Sequence, residues 1–136
     1  MKQINLFIVG IIALTFSTSC SGQSEKKETN LVVSDAGNVE VVYFHNARRC
    51  ATCNAVENVS SEAITEKYGE KIPFKGYSLD EAEGKKRAQK LGVGGQALLI
   101  VKGDTKINIT NEGFMYARSN PDKLKQVIIE KVNSLL

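Results

Sequence analysis

The chain has 136 residues, 42% of them hydrophobic and 24% charged, with a formal charge of +3. That length suits one domain with its own core, and the composition is ordinary for a globular protein. The charge is small and mixed, and no basic block is interleaved with aromatics, which excludes nucleic acid as a partner class. The densest basic cluster, Lys85-Lys86-Arg87 with Lys90, reads as the solvated face of a short helix.

The chain opens with Lys2 and an apolar run from Leu6 to Phe16, broken only by Gly10 and Thr15. A membrane span needs roughly 20 residues. The shorter run fits the core of a secretory signal over residues 1–19. Ser17-Thr18-Ser19-Cys20 follows, and it resembles a bacterial lipoprotein lipobox, with serine where leucine is usual three residues before the cysteine. The resemblance implies lipidation of Cys20 and a domain anchored to a membrane and facing the periplasm. Ser17 and Ser19 also satisfy the small-x-small rule for ordinary cleavage, which would release a soluble secreted form. Residues 21–30 contain no apolar side chain and read as a flexible tether. Leu31-Val32-Val33 reads as a short edge strand or docking segment, and the anchor and tether together occupy 20–37.

A folded domain is expected over 38–136. Residues 39–45 alternate as a strand, and a helical pattern runs from near Cys50 to Tyr68, with Val56, Val59, Ala63 and Ile64 on one side. A second strand is expected over 72–77, with Pro73 at its start or on an edge. A short helix capped by Asp80 or Glu81 ends at Gly92, with Gly84 interrupting its pattern. The run 97–101 reads as a strand buried on both faces, and a turn at Gly103-Asp104 leads into an alternating strand at 106–110. Asn120-Pro121 starts the last helix. The predicted order is β-α-β-α-β-β-α, a mixed four-stranded sheet flanked by helices in the α/β class.

Cys50-Ala51-Thr52-Cys53 sits at the first strand-to-helix junction. Residues three apart on a helix lie roughly 5–6 Å from each other, inside the Cα window of about 4.4–6.8 Å that a disulfide accepts. The helix N-terminus, Arg49, Arg48 and His45 all favour a thiolate at Cys50. Cys53, a turn deeper, is expected to be the less exposed sulfur. This arrangement suits an attacking and a resolving thiol.

On these residues the chain resembles the thioredoxin family from Val39 to Leu136. A softer likeness lies in Leu91-Gly92-Val93-Gly94-Gly95-Gln96-Ala97 and the apolar strand after it. The resemblance implies Cys50 as nucleophile, Cys53 as resolving cysteine, and the loop at Gln96-Ala97 facing the pair. Three departures are visible. Ala97 stands where the family has a cis-proline, Phe44 where a buried acid commonly assists the resolving thiol, and Arg49 where a tryptophan precedes the first cysteine.

The expected function is thiol–disulfide exchange outside the cytoplasm, with protein thiols or disulfides as partners. The sulfurs carry the electrons, so no cofactor is implied. A monomer is the default for the architecture. Two alternatives use the same residues. One is a binding module in which Cys50 and Cys53 form a structural disulfide. The other is a soft-metal domain for copper or zinc with His45 as a third ligand.

Overall fold

The computed structural model describes residues 38–136. The expected signal 1–19, Cys20, the tether and the apolar stretch at 31–33 lie outside the described residues.

Among the described residues eight elements follow one another: β1 (Val39–His45), α1 (Ala51–Tyr68), β2 (Phe74–Ser78), α2 (Ala82–Leu91), β3 (Ala97–Lys102), β4 (Thr105–Asn108), α3 (Thr110–Tyr116) and α4 (Pro121–Asn133). The four strands form one sheet in the order β2-β1-β3-β4. β2 runs parallel to β1, which requires the crossover that α1 supplies. β1–β3 and β3–β4 are antiparallel. No helix among the described residues is long and apolar enough to cross a membrane.

β1 and β3 are central, and their side chains alternate between two cores. Val39, Val41 and Tyr43 of β1, with Leu98 and Ile100 of β3, pack against α1, α3 and α4 through Val56, Ile64, Ala117, Leu124, Ile128 and Val132. Val42 and Phe44, with Ala97, Leu99 and Val101, pack against α2 through Ala88 and Leu91. Burying each of the large apolar side chains contributes roughly 2 kcal/mol.

The helix termini follow local chemistry. Cys50 is the N-cap of α1, and Gly69 closes that helix at φ +59°. The Asn120 side chain accepts from the Lys123 N–H at 3.1 Å, and Pro121 opens α4. α2 begins after Glu81 as expected, but neither acid caps it. Glu81 makes no side-chain cap bond, and the Asp80 carboxylate reaches back to the Ala47 N–H at 2.6 Å. The glycine inside α2 has a steric cause. A β-carbon at Gly84 would lie 1.9 Å from the Ser78 carbonyl oxygen, so only glycine lets α2 pack this closely on the end of β2. Lys85, Lys86 and Lys90 are exposed, while Arg87 turns inward to pair with Glu40.

The strand expected over 106–110 stops at Asn108, and the chain turns into α3, an element that sequence periodicity did not predict. The Asn108 carboxamide oxygen accepts from the Thr110 N–H at 3.0 Å and from its hydroxyl at 2.6 Å. The Thr110 hydroxyl in turn accepts from the Leu98 N–H at 3.0 Å. Asparagine and threonine bonding to nearby backbone compete with a ladder in this way. Ile109 is thereby buried rather than left on an edge strand.

Candidate active site

The site is built where the carboxyl end of β1 meets the amino end of α1. Two bonds fix the intervening loop. The Leu79 N–H donates to the His45 carbonyl at 2.7 Å, extending the β1–β2 pairing past the strand ends. The Ala47 N–H donates to Asp80, as described above. Arg48, Arg49 and Cys50 then emerge at the surface.

Cys50 has extended backbone angles (φ −87°, ψ 166°), the usual N-cap conformation. Its sulfur takes the place of a capping oxygen and accepts the Cys53 N–H at 3.2 Å. Both cysteines are free thiols; Cys50 is exposed and Cys53 is 4% exposed. The Cys50 thiol is held below the ordinary thiol value. The largest cause is the neighbouring Cys53 side chain, followed by the Cys53 backbone N–H, with the Thr52 backbone N–H adding to the effect. The stabilisation therefore comes from within the motif itself.

Arg49 points elsewhere. It forms an ion pair with Glu57, one helical turn beyond Cys53 on α1. Glu57 lies over Gly76 of β2, where a β-carbon would fall 2.6 Å from its carboxylate oxygen. Nothing in residues 50–53 alone marks Glu57. Its signal is the four-residue spacing from Cys53, which sets both on one helix face. His45 is half-buried; its Nδ1 lies 3.1 Å from the Asn46 carbonyl oxygen, and its ring sits 5.9 Å from that of Tyr43. Among the described residues no group of three or more His, Cys, Asp or Glu side chains is placed to hold a metal ion.

Gln96 reaches the pair from the other side, while Ala97, expected beside it, packs with the α2 core. The Cys53 thiol donates to the Gln96 side-chain oxygen in a long contact of 3.8 Å. Ala97 starts β3, is buried, and pairs with Phe44. No cis peptide bond occurs among the described residues. Gln96 also lines a cleft of about 400 Å³ between the glycine-rich loop at 92–95 and β4, with Lys106 and Asn108 on its far wall.

Phe44 requires a correction. The resemblance gave it the position of an acid that assists the resolving thiol. Strand alternation instead sends it to the α2 face, where it stacks on Tyr77 with ring centroids 5.7 Å apart. The β1 side chain on the α1 side is its neighbour Tyr43, fully buried.

No family model matches the chain, and no curated protein is significantly similar to it. Solved structures are similar. Thioredoxin O2 from Arabidopsis thaliana, in its oxidised state, superposes with a TM-score of 0.52 at 24% identity, over 71% of this chain and 76% of that one. A malarial protein of known structure gives a TM-score of 0.47 at 22% identity, over 70% of this chain and 97% of that one.

Proposed function

We propose that this chain, whose fold is thioredoxin-like, is a thiol–disulfide oxidoreductase acting on protein thiols or disulfides. One observation carries the reading: an exposed Cys50 with a lowered pKa caps a helix directly in front of a buried Cys53. A purely structural bridge needs no activated, solvent-facing sulfur. The Cys50 thiolate attacks a partner's disulfide and forms a mixed disulfide; Cys53 then displaces the partner. The cleft beside Gln96 offers a place for the partner's extended chain.

The amino-terminal sequence supports a location outside the cytoplasm. An apolar signal core, a lipobox-like Cys20 and a polar tether together suit a monomeric domain anchored to a bacterial membrane and facing the periplasm.

The test is alkylation of Cys50 by iodoacetamide across pH in the reduced protein, with Cys50→Ser and Cys53→Ser controls. The rate should reach half its maximum well below the ordinary thiol pKa of about 8.5, and fall as pH drops through the lowered value. Linkage has the same sign. Ionisation of Cys50 favours the folded reduced state, so that stability is present above the unfolded pKa and is lost as pH falls through the folded one. Cys50→Ser should flatten both curves. Cys53→Ser should accumulate mixed disulfides with its partners. A Cys50 that titrates like free cysteine, together with no trapped partner, would sink the proposal.

A further inference from the structure

The cleft beside Gln96 has three polar side chains in its wall, those of Gln96, Lys106 and Asn108, and no acidic one. The acceptors among them are already engaged. The Gln96 oxygen takes the Cys53 thiol, and the Asn108 oxygen takes both the N–H and the hydroxyl of Thr110. Their amide nitrogens make no hydrogen bond among the described residues. The Lys106 ammonium donates to the Leu91 carbonyl at 2.8 Å, which leaves two of its three protons unused. Arg49, Arg87 and Lys125 each meet a glutamate. Lys106 meets none among the described residues, and its one bond holds the charge at the cleft. The side chains of this wall thus offer donors and a fixed cation.

The facing loop leaves room. Neither Gly94 nor Gly95 lies in the left-handed region, and a β-carbon on either would meet nothing within 4 Å. Neither conformation nor packing inside the chain asks for glycine there. Bare backbone at an open cleft lets a second chain come close. The distances suit a short segment. Asn108 lies opposite Leu99 and Lys106 opposite Val101. Along β3 these positions are roughly 7 and 13 Å from Ala97, next to Gln96, at the usual strand rise. An extended chain covers that span in two to four residues.

We propose that this cleft selects the substrate by binding the carboxylate of an aspartate or glutamate two to four residues from the substrate cysteine, with Lys106 as the specificity-determining residue and Asn108 as a second donor. The inference rests on the oxidoreductase reading above and names its substrate class: disulfides flanked by acidic segments. A carboxylate is an acceptor with no proton to give, which is what a wall of spare donors lacks. Hydrogen bonds to it are charge-assisted and about twice as strong as neutral ones. Lys106 touches no sulfur and leaves the exchange chemistry to the dithiol.

The experiment uses the full chain with Cys20→Ser, so that only Cys50 and Cys53 report. Its substrates are short peptides whose cysteine carries an uncharged 2-thiopyridyl group through a disulfide. One set has glutamate three residues before or after the cysteine, and a matched set has glutamine. The Cys50 thiolate bonds to the peptide sulfur, and the pyridyl sulfur leaves, takes a proton from water and absorbs as 2-thiopyridone. Cys53 then loses its proton to water and its sulfur attacks Cys50. The peptide leaves as a thiol, counted by mass spectrometry. At low salt one of the glutamate peptides should react about tenfold faster than its glutamine match, as a hydrogen bond to a charged group allows, and the preference should shrink as salt is added. Lys106→Arg should keep it. Lys106→Gln should abolish it while leaving the glutamine peptide's rate and the iodoacetamide profile of Cys50 unchanged. Lys106→Glu should turn the preference toward a lysine peptide, a reversal that a merely structural lysine would not produce. Equal rates for both sets in the parent, or a preference that survives Lys106→Gln, overturn the inference and leave the oxidoreductase reading standing. A parent protein that never releases either peptide as a thiol overturns that reading, and this inference with it.

Discussion

Tyr43 and Phe44 are neighbours in β1, both fully buried, and they belong to different halves of the molecule. On Tyr43's side three helices cover the sheet, and two buried hydroxyls, those of Tyr43 and Ser60, have no partner among the described residues. On Phe44's side α2 covers a smaller apolar cluster, bordered by the Arg87–Glu40 pair, where the Arg87 Nε is buried with no partner among the described residues. The dithiol sits over the first side only. The thick core can surround a buried polar group and a buried sulfur from several directions. The thin one is mainly an apolar seal with one ion pair at its border. Chemistry and closure are thus divided between the two faces of one sheet.

That division can be tested at adjacent positions of β3. Leu98 pairs with Tyr43 and faces the thick core; Leu99 faces the thin one. Leu98→Ala and Leu99→Ala should each cost about 2–5 kcal/mol in denaturant unfolding. Only Leu98→Ala should also alter the alkylation rate of the dithiol under conditions where both variants remain folded. Equal effects on the cysteines would dissolve the distinction. Gly84→Ala strikes the thin face alone. Its new methyl meets the Ser78 carbonyl, so α2 must shift, at about 1–3 kcal/mol by the usual range for overpacking. Cys50 should keep its pH profile in that variant. A smaller effect is expected at the seam between the halves. Asp80→Ala removes the acceptor for the Ala47 N–H at an exposed site, for about 1 kcal/mol. Hydrogen exchange over 46–49 should speed up while α4 stays protected.

Much of this architecture was legible because the signals were local. The strand at 39–45, the glycine stop at Gly92 and the Asn120-Pro121 start each carry their cause within a few residues. The motif 50–53 likewise announced its place on a helix start. What was not legible depended on partners far along the chain. α3 arises because Asn108 and Thr110 bond to each other and Thr110 also to Leu98, which no periodicity reports. Asp80 has the composition of a helix cap, yet it serves a loop 33 residues earlier. Arg49 looked like an aid to Cys50 by adjacency, whereas Glu57, a turn into α1, claims its charge. The motif position of Phe44 did not report which face its side chain takes, because neighbouring residues in a strand point to opposite faces.

The use of sulfur as a helix cap has one more result. The Cys53 amide is tied to the same atom that carries the chemistry. A thiolate is a strong acceptor and a sulfur in a disulfide a weak one, so each redox step changes how firmly the first turn of α1 is fastened. The backbone of Cys53 therefore carries a readout of the electron inventory of the pair. Its amide resonance and its solvent-exchange rate give the state of the dithiol without any added label.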